Sequence, residues 1–138
     1  KDVFLHHWKE ESQHARIDEL EWIRVDASLS PNERDRAVND LIDLVSAVDG
    51  ILCAQAEADV DYFLKISGAA FFEENIQRLK AGVLAAYRWQ YILSGVGEPR
   101  FQKVLQSLTT NDQYHRIEAA IAPLADLAAS AEMVISSV

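Results

Sequence analysis

The stretch ASLSPNE, residues 27–33, separates two long helical patterns and sets the organisation of the chain. Ser30 can accept a hydrogen bond at a helix N-terminus, Pro31 suits the first helical position, and Glu33 completes a capping box with Ser30. One helix therefore ends near Asp26 and another begins near Pro31. Because the turn is short, we expect these two helices to be antiparallel neighbours.

Further turn signals lie at Gly68, at residues 95–99 and at residues 110–113. They predict helices near 2–27, 31–67, 70–95 and 112–135, with a short helical piece near 100–109. Only five Gly and three Pro occur in 138 residues, which favours long helices over strands. The sequence predicts an all-α antiparallel bundle of four main helices plus a short helical connector, in one domain covering residues 1–138.

Composition and charge exclude several classes of partner. The chain has 22 acidic and 13 basic residues and a formal net charge of −9, which repels nucleic acid and anionic lipid. No apolar stretch approaches the roughly 18 residues of a membrane span. The single Cys53 forms no internal disulfide and favours a cytoplasmic location. Helical periodicity begins at once without a capping residue, which predicts that this chain is the C-terminal part of a longer one.

One face of the first predicted helix carries ionisable groups where apolar groups are expected. At about 100° per residue, His7, Glu11, His14 and Asp18 fall in one sector whose two ends are aromatic or aliphatic. Glu11 and His14 are one turn apart, and His7 lies one turn before Glu11. Such nitrogen and oxygen donors are ligands of zinc, iron and manganese. The pattern indicates a metal site, a buried hydrogen-bond network or an intersubunit salt-bridge cluster.

Polar residues also interrupt the apolar seams of the next two helices. The seam of the second helix is Val38, Leu41, Val45, Val48, Leu52, Gln55, Asp59, Tyr62 and Ile66. The seam of the third is Phe72, Ile76, Leu79, Val83, Ala86, Gln90 and Leu93. Burying an unpartnered amide or carboxylate costs on the order of several kcal/mol, so these polar groups require partners. They either fix the register of the bundle or contribute to a site.

The segment HHWKEESQHARIDE, residues 6–19, resembles a metal-ligand helix of the ferritin-like di-iron and di-manganese carboxylate proteins. Those proteins build their site in a four-helix bundle, where two helices each supply a Glu and two others each supply a Glu-x-x-His pair. The resemblance implies that Glu11 and His14 are metal ligands, with His7 and Asp59 as further ligands. It also implies a bound metal ion, with iron first and manganese or zinc as alternatives.

The same resemblance implies roles around the metal ligands. Asp18 or Gln55 would hold an imidazole by its second nitrogen, and Tyr87 and Gln90 would line the cavity. The implied function is metal binding, extending to a di-iron or di-manganese oxidoreductase that acts on a small-molecule substrate. The alternative is a non-catalytic helical dimerisation or scaffold protein whose buried polar residues specify pairing.

The ligand set of this chain is incomplete, since no second Glu-x-x-His occurs. His115 follows Asp112 by three residues but points away from the buried face predicted for the last helix. That face consists of Ile117, Ile121, Leu124 and Ala128. Two explanations stay open: an upstream segment supplies a further helix, or a homodimer brings two copies of the first helix together. Apolar residues on other sides of that helix, among them Ile17 and Leu20, favour the homodimer.

Overall fold

The computed structural model describes the backbone of residues 2–136 and the side chains of residues 2–127, so Ala128 lies outside the described side chains. Its elements are α1 (Asp2–Asp26), α2 (Pro31–Ser67), α3 (Glu73–Arg88), a π-helical turn (Trp89–Leu93), α4 (Ser94–Val96), α5 (Pro99–Leu108) and α6 (Asn111–Ser136). The predicted all-α class is confirmed, and the described residues form no strand. Across this same range, no helix is both long enough and apolar enough to cross a bilayer.

The predicted start and end of α2 are confirmed. The Ser30 hydroxyl accepts a hydrogen bond from the Glu33 backbone N–H, and the Glu33 carboxylate accepts one at 2.8 Å from the Ser30 backbone N–H. At the other end, Gly68 adopts φ 64°, a left-handed conformation that glycine enters without strain. The third helix begins at Glu73 rather than at Ala70, because Phe72 is extended and two acidic residues then favour a helix N-terminus.

Replacing Ser30 with alanine is expected to lower the free energy of unfolding by about 1 kcal/mol, because the Glu33 backbone N–H loses its acceptor and the Glu33 carboxylate loses the hydrogen bond from the Ser30 hydroxyl. Urea unfolding followed by circular dichroism measures the change. Ser46→Ala is the matched control, since Ser46 is exposed in the interior of the same helix and alanine is the stronger helix former. Equal losses in the two variants would show that the capping box does not stabilise α2.

Helix α1 packs on the remainder of the chain through its C-terminal half. Trp22 lies 5.7 Å from Phe101 of α5, measured between ring centroids, and Glu19 forms an ion pair with Arg100. Trp22 also packs against a buried cluster formed by one residue each from α2, α5 and α6, namely Val38, Leu105 and Ile117. These contacts place the main hydrophobic core where the C-terminal half of α1 meets α2, α5 and α6.

Burial along α2 departs from the predicted heptad seam. The seam is correct at Val38 and Leu52, but Ala56 and Val60 are buried where Gln55 and Asp59 were predicted. Tyr62 and Ile66, at the end of the predicted seam, are exposed. A helix of 3.6 residues per turn drifts about 20° per heptad relative to a 3.5-residue repeat. After three heptads this rotation of about 60° favours the residue after each predicted seam position.

The third helix also shows a different buried row from the one predicted. Ala85, Arg88 and Ile92 are buried, whereas Gln90 and Phe72 are exposed. Helix α3 contacts both α2 and α6, so its burial is set by two neighbours rather than by one seam. The π-helical turn then adds one residue to a helical turn and rotates the faces that follow it.

Candidate functional site

Three of the predicted ligands converge on one face of α1. The Nδ1 atom of His7 lies 3.8 Å from Oε1 of Glu11, and the Nδ1 atom of His14 lies 3.5 Å from Oε2 of the same carboxylate. Spacings of four and three residues place these side chains one turn apart on a regular helix, which is why they meet. The carboxylate therefore presents one oxygen to each imidazole.

This group is exposed, which corrects the expectation that the stripe on α1 is buried. The side chains of His7, Glu11 and His14 are 67%, 57% and 56% exposed. The physical reason is the limited reach of α5, which contacts α1 near Glu19 and Trp22 and leaves the preceding turns uncovered. A buried hydrogen-bond network around these residues is therefore absent from the described chain.

The spacing of the donors fits part of a metal site. Two ligands about 2.1 Å from a tetrahedral zinc ion lie about 3.4 Å apart. The observed separations of 3.5 Å and 3.8 Å are close to this value, so each imidazole with its carboxylate oxygen can supply two ligands. Among the residues whose side chains the structure describes, no group of three or more His, Cys, Asp or Glu could hold an ion. The described residues of one chain therefore do not form a complete metal site.

Asp59 does not join the group on α1, contrary to its predicted place among the ligands. Its Oδ1 accepts a hydrogen bond of 2.8 Å from the Gln55 amide, and its Oδ2 accepts one of 2.5 Å from the Tyr87 hydroxyl. These bonds, first that from Tyr87, hold the pKa of Asp59 below its usual value and outweigh the opposing effect of desolvation. The bond to Asp59 likewise raises the pKa of Tyr87. Asp59 thus links α2 to α3.

The Tyr87→Phe variant is expected to be less stable than the original chain at pH 6, by a margin that is smaller at pH 3. The Tyr87 hydroxyl stabilises the ionised form of Asp59, so its contribution is complete above the unfolded carboxyl pKa of about 3.9. That contribution is lost as the pH falls through the lower pKa of the folded state. Urea unfolding at the two pH values measures it. A difference that stays constant with pH would contradict the role given to this hydrogen bond.

The remaining predicted residues lie apart from the imidazoles. In the described part of the chain, Asp18 makes no hydrogen bond to an imidazole, and Gln55 donates its amide to Asp59 instead. Gln90 is exposed on the π-helical turn, and its backbone carbonyl accepts from Ser94. Neither Tyr87 nor Gln90 lines the groove between α1 and α5 that is described next. The roles predicted for these four residues around a metal are therefore not supported by their positions.

A groove of about 790 Å³ instead separates α1 from α4 and α5. Trp22, Phe101 and Val104 form its apolar part, while Glu19 and Arg100 form an ion pair at its edge. Asp18 lies in its wall. The groove therefore begins beside His14, since Ser12 and Ala15 also line it.

A polar cluster between α2 and α3 was not predicted from the sequence. The Arg88 guanidinium binds Asp49 through two hydrogen bonds, Nε to Oδ1 at 2.6 Å and Nη2 to Oδ2 at 2.8 Å. Its Nη2 also lies 3.7 Å from Sγ of Cys53. A signal for the pair exists in the sequence, since Asp49 is the one charged residue within 44–56 and Arg88 the one charged residue within 83–93. Two residues of opposite charge, each isolated in an otherwise uncharged stretch, are expected to form an ion pair.

Comparisons with known proteins do not assign this chain to a family. No protein-family model matches the sequence, and neither the curated proteins nor the solved structures give a match. The candidate site therefore consists of His7, Glu11 and His14 on α1, together with the exposed apolar side chains beside them.

Proposed function

We propose that this chain is a ferritin-like metal-binding helical protein, in which Glu11 and His14 are ligands and His7 is a further ligand. The observation that carries the proposal is the Glu11 carboxylate, whose two oxygens each face an imidazole nitrogen at 3.5 Å and 3.8 Å. Imidazole and carboxylate donors suit iron, manganese and zinc, with iron first in the ferritin-like family. The antiparallel bundle of that family is the arrangement proposed for the complete site.

The chain's own residues have separate roles in this proposal. Glu11 supplies one oxygen toward each imidazole, so a single carboxylate can serve two ligand pairs. The groove between α1 and α5 begins beside these residues, and its apolar lining can bind a small-molecule substrate. A bound iron or manganese ion with an open coordination position would supply the activation of oxygen on which an oxidoreductase activity depends.

The decisive experiment measures the metal content of protein produced without a histidine tag under iron-replete conditions. The original chain is expected to carry stoichiometric iron, manganese or zinc, and the Glu11→Ala/His14→Ala variant is expected to lose it, because the variant removes one complete ligand pair. Both substituted side chains are exposed, so the fold is expected to persist. Circular dichroism checks that the helices are retained.

A matched control exists on α6, where His115 and Glu118 form another exposed imidazole–carboxylate pair three residues apart, with Nδ1 to Oε2 at 3.1 Å. No second imidazole faces Glu118 among the described residues. The His115→Ala/Glu118→Ala variant is expected to keep its metal. Metal below about a tenth of an equivalent in the original chain, or equal loss in both variants, would overturn the assignment to α1.

A second candidate function, a helical dimerisation or scaffold protein without metal, is favoured by the exposed apolar side chains of α1. A scaffold protein is expected to tolerate a single apolar substitution on the polar face of α1, which a metal-binding protein does not. In a scaffold protein His14→Leu leaves the stability unchanged or raises it, and chelation with EDTA has no effect. In a metal-binding protein the same substitution removes the bound ion.

A further inference from the structure

The N-terminal half of α1 carries an apolar stripe that no helix of the described chain covers. Phe4 and Trp8 are 81% and 66% exposed. At about 100° per residue both lie on the same face of α1 as Trp22, which packs against Phe101 of α5. Phe4 and Trp8 therefore extend a packing face that α5 covers only in part.

The accessible surface of the whole chain is larger than that of a compact monomer of the same mass. A folded chain of 15.5 kDa exposes about 7,200 Å² of accessible surface. This chain exposes 10,006 Å², an excess of about 2,800 Å². Permanent homodimers bury about 1,000 to 2,500 Å² on each chain. The excess is thus sufficient for the interface of a stable dimer.

The ligands beside the stripe favour a second copy of this chain over an unrelated partner. His7, Glu11 and His14 lie within about 80° of the direction of Phe4 around the helix axis. A two-fold axis beside α1 supplies each of these groups twice, and so provides the ligands that one chain lacks. An unrelated apolar helix would cover the stripe and leave the ligand set incomplete.

A bound metal ion would also reduce the charge repulsion between two copies of this chain. Each chain carries a net charge of −9, which opposes association of two copies. A two-fold contact along the stripe also brings two Glu11 carboxylates near each other. A divalent cation between them offsets this repulsion while it takes up the imidazoles.

We infer that two copies of this chain pair through α1, with Phe4 and Trp8 in the interface and a transition-metal ion shared between the His7, Glu11 and His14 groups of both copies. The inference rests on the proposed metal-binding function and adds that the site is complete only in the dimer.

The test combines light scattering with zinc titration of the purified chain. With Zn²⁺ the original chain is expected to have a mass of about 31 kDa, twice the 15.5 kDa of one copy. The Phe4→Ser/Trp8→Ser variant is expected to be a 15.5 kDa monomer. It is expected to bind Zn²⁺ at least about tenfold more weakly, although it keeps all three ligands of its own α1.

The control variant is Leu44→Ser/Ile51→Ser, which makes the same kind of change at two exposed apolar positions of α2 and is expected to leave mass and zinc affinity unchanged. A monomeric original chain with stoichiometric zinc would overturn the shared site and leave metal binding standing. A dimer that binds no zinc would overturn both the shared site and the proposed function. A monomeric Phe4→Ser/Trp8→Ser variant with undiminished zinc affinity would show that each copy binds its ion alone.

Discussion

Replacing Asp49 with alanine is expected to lower the free energy of unfolding by about 3 kcal/mol, because it leaves a buried guanidinium without its charged partner. Arg88 is 8% exposed, and both hydrogen bonds of its ion pair go to the Asp49 carboxylate. After the substitution, Arg88 retains from this cluster the contact between its Nη2 and the Cys53 sulfur. Urea unfolding followed by circular dichroism measures the loss.

Two further variants separate the ion pair from the effect of substitution in general. Asp43→Ala changes an exposed aspartate of the same helix and is expected to alter stability by less than about 0.5 kcal/mol. Asp49→Leu/Arg88→Met removes both charges and is expected to recover most of the loss, since an apolar pair of similar volume requires no desolvated charge. If the double variant were less stable than Asp49→Ala, the cost of an unpaired charge would not explain the effect.

Replacing Leu105 with alanine is expected to lower the free energy of unfolding by about 3 kcal/mol and the unfolding temperature by about 10 °C. Leu105 belongs to α5 and lies in the buried cluster with Val38 of α2 and Ile117 of α6, against which Trp22 of α1 packs. The cavity left by the substitution is therefore surrounded by residues of four helices, which limits how far any one of them can move to fill it. Thermal unfolding and urea unfolding measure the two quantities.

The control for this variant is Leu44→Ala, which makes the same chemical change at a position that is 60% exposed. Its expected effect is below about 0.5 kcal/mol, because little apolar surface returns to water. Comparable losses at Leu44 and Leu105 would contradict the placement of the core at the junction of α1, α2, α5 and α6.

Local signals in the sequence determine the helices themselves. Ser30 and Glu33 close a capping box, Gly68 supplies the left-handed residue, and Thr110 with Gln113 caps α6 through reciprocal hydrogen bonds. Each of these devices involves residues at most a few positions apart, so sequence spacing is sufficient to predict it. The convergence of His7 and His14 on Glu11 is predictable for the same reason, since it depends on one turn of one helix.

Only the tertiary structure decided which faces are covered and which polar groups meet. The heptad pattern gave Gln55 and Asp59 a buried position, but the drift of a straight helix and the neighbours of α3 buried Val60 and Arg88 instead. The exposure of His7, Glu11 and His14 depends on how far α5 reaches along α1, and Asp59 accepts a hydrogen bond from Tyr87 of another helix. Such contacts join residues distant in the chain, and their geometry follows from the packing of whole helices rather than from any local spacing.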